Sequence, residues 1–385
     1  MNLLKLFRLW TASTAIVLWS SVHAGLVPLE EWCVTTSAEL QNALTVAATN
    51  NKVDVIKIET GTYDVPAGGF VFDASVAGGD HLGLTLSGGW INFFGNPCGQ
   101  LGTENAFLTV LDGNETDRVL DITLNEGTSA TIRLLTFLNG FADENGAGGG
   151  LWLRSAPGLS NYYGNIAIER NIFLDNEAFT ASAARIHASA FGTDARIAFV
   201  NNVVVANHAR SVSAVTLNVG NGNDGPTGSG VRVTNNTIIS NTMDSDDTDS
   251  SAGLSASGTN RNMHIHNNNL WGNDTSDLRV HPGGNEGVFH LFNNNIGIRT
   301  GMTPTSQSNN ISVEPEYEPC FLCFAWVPLA SSPLVDGGVH PPTLVPFWYL
   351  TELDSNGSLR IHNGTVDIGA YESYERMFSD RFEAK

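Results

Sequence analysis

Four stretches decide the fold: IAIERNIFLDN at residues 166–176, IAFVNNVVVAN at 197–207, VRVTNNTIISN at 231–241 and MHIHNNNLWGN at 263–273. They centre on Asn171, Asn202, Asn236 and Asn268, and the phrase extends outward to centres at Leu135 and Asn294. Five residues before the centres stand Ala130, Ile166, Ile197, Val231, Met263 and Phe289; three before stand Ile132, Ile168, Phe199, Val233, Ile265 and Leu291; two after stand Phe137, Phe173, Val204, Ile238, Leu270 and Ile296. All eighteen are apolar in a chain that is 42% hydrophobic. Chance would produce such a run roughly once in several million trials, so the repeat is real.

Apolar and polar residues alternate before each asparagine, and β-branched residues are frequent, which is the period of a strand and not of a helix. The centres lie 36, 31, 34, 32 and 26 residues apart. Such spacing fits a solenoid whose coils carry loops of different length. A leucine-rich repeat would need a further leucine eight before each centre. Those positions hold Gly127, Tyr163, Asp194, Gly228, Asn260 and Glu286, so that alternative fails. A second strand-like run follows in each coil, at Leu151–Leu153, Arg185–His187, Val215–Leu217, Gly253–Ser255 and Leu278–Val280. The expected fold is all-β, a right-handed parallel β-helix. Stacked asparagines at the bends would hydrogen-bond from coil to coil about 4.8 Å apart, with a second ladder at Asn176, Asn207, Asn241 and Asn273.

Residues 1–24 read as a signal peptide, with Lys5 and Arg8, an apolar run through Leu18, and Val22 and Ala24 before the cleavage point. The expected location is therefore secreted or at the cell surface, and no later segment is apolar enough to form a transmembrane helix. Cleavage would leave 17 basic against 39 acidic residues, a field that repels nucleic acid and anionic membranes. In an exported chain the four cysteines suggest disulfides Cys33–Cys98 and Cys320–Cys323, with a metal-binding or redox CxxC as the rival for the second. Residues 25–108 are expected to hold an amino-terminal cap and the first coils, residues 109–300 the regular coils, residues 301–375 a loop-rich carboxy-terminal cap and residues 376–385 a tail. The cap at the start contains a short helix, with Thr36 and Glu39 at capping-box spacing and Leu40, Ala43, Leu44 and Ala47 on one face. Beyond Gly301 prolines cluster and alternation lapses.

The stretch SSPLVDGGV at 331–339, then Asp354, Gly357, Arg360 and TVDIGAYE at 365–372, resembles the carboxy-terminal signature of choice-of-anchor Q proteins. CVTTSAELQNAL, GTY at 61–63, TVLDGN at 109–114 and GAGGGLWL at 146–153 resemble them too, so the likeness covers most of the chain. It implies a secreted right-handed β-helix of the pectin-lyase-like superfamily and no particular catalytic residues. The closing MFSDRFEAK contains no sortase motif or hydrophobic anchor.

Residues four and two before each centre should face outward. On that rule Arg232, His264 and His290 form one vertical line with His266 beside it, a cationic patch on an acidic protein. Arginine can neutralise a uronate carboxylate and histidine can remove the neighbouring proton, so this face is a candidate site for an acidic polysaccharide. Trp271, with Trp152, Tyr162 and Tyr163, could stack on sugar rings. Asp244, Asp246, Asp247 and Asp249 could chelate calcium, although they lack the order of an EF-hand loop; no other cofactor is expected. If the chain is an enzyme, lyase and glycoside hydrolase chemistries both remain, but no lysine lies between residues 58 and 384 to act as base. The alternative is a non-enzymatic, adhesin-like surface protein. Its expected partner is an extracellular or cell-surface glycan and its expected state a monomer.

Overall fold

Each coil turns through three strands because the sequence supplies three alternating runs separated by tight bends. In the coil centred on Asn171 the strands are Asn165–Glu169, Ile172–Leu174 and Ala184–Ala188, and the next coil repeats them at Arg196–Val200, Val203–Val205 and Val215–Val219. Like strands pair in parallel and in register, Ile166 with Ile197, Phe173 with Val204 and Ile186 with Leu217. Among the described residues the result is a parallel β-helix of three long sheets: sheet A with eleven strands, sheet B with eight and sheet C with eight, plus a three-stranded sheet at the bend between B and C. This computed structural model describes residues 28–373 apart from 103, 144, 189–194, 221–229, 246–249, 259–261, 283–287, 318–325, 341–350 and 363. The leader, the tail and the Cys320–Cys323 pair lie outside the described residues.

All eighteen apolar residues of the repeat are buried in one core. Their columns interdigitate as stacked rings and branched chains; Phe137 and Phe173 lie face to face at 4.7 Å. The turn from sheet A to sheet B is only two residues long. It requires a left-handed backbone at the residue before each centre, and Leu134, Arg170, Asn201, Asn235, Asn267 and Asn293 all have φ between 50° and 58°. Asparagine tolerates that conformation better than most residues, which accounts for the doublets at 201–202, 235–236, 267–268 and 293–294.

The second asparagine of each doublet builds the expected ladder. Asn202 Nδ2 donates to Asn236 Oδ1 at 3.1 Å, Asn236 to Asn268 at 2.9 Å, and Asn268 to Asn294 at 2.9 Å. Each also donates to a backbone carbonyl of the preceding coil, as Asn236 does to Phe199 at 2.8 Å. The column continues past residue 300 to Asn310, where Asn294 donates at 2.9 Å. The second ladder runs Asn176, Asn207, Asn241, Asn273 and ends on the carboxylate of Asp277, 2.7 Å from Asn273 Nδ2.

At the amino-terminal end the helix Ser37–Ala47 starts with the expected capping box and buries Leu40, Ala43, Leu44 and Ala47. Gln41 on this helix accepts from Val71 N–H and donates to Val71 C=O, at 2.9 and 3.0 Å, satisfying backbone groups on the edge strand of sheet C. Cys33 and Cys98 form a disulfide that ties the first strand of sheet A to the hairpin Gly83–Leu101.

The carboxy-terminal segment departs from the expected end cap. Its described residues run back along the flank of the coils. Asn267 Nδ2 donates to Val339 O at 3.1 Å, Asn235 Nδ2 to Asp367 O at 3.0 Å and Asn201 Nδ2 to Leu353 O at 3.0 Å. The first asparagine of each doublet, freed from ladder duty, is what holds this strap. Val327, Ala370 and Tyr371 cover Ile172, Val203, Val205 and Ile239 on the outside of sheet B. Arg360 is fully buried and donates to Glu372, Asn201 and the carbonyls of Gly369 and Ala370. Asp354 accepts from the backbone of Asn356, Ser358 and Glu372. Burial pushes the Glu372 carboxyl up to about 8 against the opposing pull of Arg360. Gly357 has φ +84, and a Cβ there would lie 2.5 Å from Cβ of Glu104.

Candidate functional site

On sheet A the register is as expected: Arg232 pairs with His264 and His264 with His290, while Thr234, His266 and Phe292 form the neighbouring column. The imidazoles of His264 and His290 stack at 4.6 Å, His266 lies 5.6 Å from His264 and 5.1 Å from Phe292, and His290 Nδ1 meets Ser306 Oγ at 2.6 Å. Exposure is not as expected. Arg232 is 4% exposed, His266 is 2% exposed, and Thr234, Val200 and Ala198 beside them are also buried. Burial, then the neighbouring His290 and Arg232, pushes His264 down to about 3; His266, buried beside His264, His290 and Arg232, falls to about 3 as well. Burial also lowers His290, and it brings Arg232 down to about 10. At neutral pH these three imidazoles are uncharged, so the column is a packed aromatic stack and not a cationic patch open to solvent.

The other expected residues are dispersed. Trp271 projects from sheet B and packs against the strap-covered cluster with Ile239, Tyr317 and Trp326, away from the histidines. Tyr162 is fully buried and donates to Thr128 O at 2.8 Å, whereas Tyr163 is exposed. Asp244 stands in solvent 3.3 Å from His208 Nε2, and Asp246, Asp247 and Asp249 lie outside the described residues. No group of three or more metal-ligating side chains occurs among the described residues. A corner cavity of about 510 Å³ is lined by Glu115, Asp175, Glu177, Phe141 and His208. Its acidic sign is wrong for a polyanion.

A second gathering of basic residues lies on sheet C. The outward residues of successive strands form two columns. One reads Asp121, Trp152, Arg185, Thr216, Ser255, Arg279; the other reads Thr123, Arg154, His187, Asn218, Ser257, His281. Trp152 is the centre of a pinned stack, with the Arg154 guanidinium 3.8 Å and the Arg118 guanidinium 4.6 Å from its ring. Asp121 holds both guanidiniums, at 2.8 Å to Arg118 and 2.6 Å to Arg154. Arg185 on the next rung has no ion pair among the described residues, and its Nε and the Trp152 Nε1 are donors without a protein acceptor there. Burial lowers His187, and Arg185 beside it lowers it further, leaving a neutral imidazole next to a guanidinium.

Trp152, Arg154, Arg185, His187 and Arg279 are half-buried and Thr123 and Ser255 are buried, so the columns form a floor and not a ridge. Arginine can bind a carboxylate or sulfate in bidentate fashion, and a tryptophan held by stacked cations offers a sugar ring a rigid platform. Reading outward positions only around the asparagines missed this face; the same alternation applied to Leu151–Leu153, Arg185–His187 and Leu278–Val280 would have found Trp152, Arg185 and Arg279.

Compared with known proteins, the chain matches no family model and no curated protein. No helix among the described residues is long and apolar enough to cross a membrane.

Proposed function

We propose that this chain is a secreted β-helix that binds an acidic extracellular polysaccharide along the outer face of sheet C. The observation carrying the reading is the gathering of Arg118, Arg154, Arg185 and Arg279 around a pinned Trp152 and along one face of a chain with net charge −20. A protein so acidic has no general affinity for polyanions, so a local concentration of arginine is the feature that would attract one. The disulfide and the leader support export. The buried clasp of Asp354, Arg360 and Glu372 gives the likeness to choice-of-anchor Q proteins a structural meaning, and membership of that family is part of the proposal.

Turnover is a second reading, favoured by the adjacency of Arg185 and His187. Arg185 would pair with a uronate carboxylate while His187 takes the proton from the adjacent carbon. The glycosidic bond one carbon further on would break, its oxygen taking a proton from water and the sugar keeping a double bond. A non-enzymatic adhesin would use the same face without this step.

Isothermal titration against alginate, polygalacturonate, hyaluronan and chondroitin sulfate tests the proposal. Arg154→Ala with Arg185→Ala should weaken binding about 100-fold, near two charge-assisted contacts, and flatten its salt dependence. His264→Ala with His290→Ala should leave it unchanged. Affinity for none of these polymers, or equal affinity in the arginine variant, would refute the site. Absorbance of the unsaturated product, lost in His187→Ala, separates turnover from binding.

A further inference from the structure

Charge on the sheet C face is not continuous. Three guanidiniums, Arg118, Arg154 and Arg185, occupy the turn and two rungs at one end. The next two rungs present Thr216 with Asn218 and Ser255 with Ser257, hydroxyls and one amide with no charge. Arg279 and His281 follow on the rung after them. Arg185 and Arg279 are three rungs apart, about 14 Å at the spacing of paired strands. Acidic residues limit the cationic stretch on its amino-terminal side, where Asp121 and then Asp73 continue the floor.

Resting on the binding role of this face proposed above, we infer that its ligand is a sparsely charged glycan, with neutral sugars between its acidic ones, bound at both cationic ends at once. Asn218 and Ser257 on the middle rungs are partly exposed and can bond sugar hydroxyls, Ser255 is buried and Thr216 bonds Ser213, and none of the four supplies a counter-charge. A carboxylate held over them would lose water without gaining a cation, which is unfavourable. A polymer acidic at every sugar must place carboxylates there. One with neutral spacers can align its charges with Arg154 and Arg185 at one end and Arg279 at the other. Joining two contacts through one chain also makes the second effectively intramolecular, so affinity should rise stepwise once the ligand is long enough to bridge them.

The test is a length series of two oligosaccharides titrated into the whole protein: hyaluronan fragments, in which uronate alternates with a neutral amino sugar, and oligogalacturonates, in which every sugar is acidic. Hyaluronan fragments should show a step of about tenfold in affinity with length, and Arg279→Ala should abolish that step while leaving the shortest binding fragments unaffected. Oligogalacturonates of equal length should bind more weakly. The inference is overturned if affinity rises smoothly, if Arg279→Ala has the same effect at every length, or if the fully acidic series binds as tightly. Each of those outcomes still leaves an acidic glycan on the arginine face. Loss of all binding, or binding insensitive to Arg154→Ala and Arg185→Ala, would remove that face and this inference with it.

Discussion

The outer faces of sheets A and C use the same ingredients, arginine and histidine on neighbouring rungs, and come to opposite ends. On sheet A, Arg232 and His266 are almost wholly buried, and burial keeps the His264 and His266 imidazoles uncharged at neutral pH. On sheet C, Arg154, Arg185 and Arg279 remain half-exposed, and one carboxylate serves two of the guanidiniums around Trp152. The strand pattern is the same on both faces, and what differs is the burial of Arg232 and His266. An outward position in a solenoid faces away from the core, and alternation alone does not say whether it also faces water.

The sharpest way to separate the faces is acid. His264 and His266 bind protons near pH 6.5 when unfolded and only near pH 3 when folded. The unfolded state therefore takes up more protons between those limits, so their contribution to stability is complete above about 6.5 and is lost progressively as pH falls towards 3. At about 1.4 kcal/mol per pH unit for each group, the pair would cost about 5 kcal/mol by pH 4.5. Urea unfolding at pH 7 and pH 4.5 should show this loss, and His264→Asn with His266→Phe should remove most of it. His187→Asn on the half-exposed face should remove much less. An acid limb unchanged in the sheet A variant would mean that the column does not drive it.

A ladder substitution should break the comparison, since both faces hang on the same rungs. Asn236 accepts from Asn202 twice and donates to Phe199, Thr234 and Asn268, all buried. Asn236→Ala should cost about 3 kcal/mol by leaving buried backbone groups unpaired. Asn310→Ala, at the partly exposed end of the same ladder, should cost about 1 kcal/mol, because water can replace part of what is lost. Denaturant midpoints give both values, and equal losses would contradict a ladder whose strength comes from burial.

These contrasts also mark what could be read from the chain alone. The core and the ladders were legible because period-two alternation and a repeated asparagine are local signals that each coil restates. The burial of Arg232 and His266 was not, because alternation reports only which side of the sheet a residue takes; nor was the strap on neighbouring sheet B, which joins Asn235 to Asp367 across 132 residues. The arginine face was hidden for another reason. Trp152, Arg185, Thr216, Ser255 and Arg279 are separated by 33, 31, 39 and 24 residues, and no asparagine marks their column. Only the paired strands show them to be vertical neighbours.

The smallest expected effect concerns Trp152, which carries two guanidiniums where Trp90 on sheet A carries the ammonium of Lys57 at 4.7 Å. Its ring lies under two guanidiniums that Asp121 already holds, so the stack should matter more for the placement of Arg118 and Arg154 than for folding. Partly exposed cation–π contacts contribute about 0.5–1 kcal/mol. Trp152→Leu keeps an apolar side chain at the site, so it should lower stability by about 1 kcal/mol or less, while a freed Arg154 loses preorganisation and glycan affinity drops about fivefold. Trp152→Tyr, which retains a ring face for the cations, should recover most of that affinity. A Leu variant that loses stability in full but no affinity would show the stack to be packing alone, and sheet C would then resemble sheet A more closely than its exposure implies.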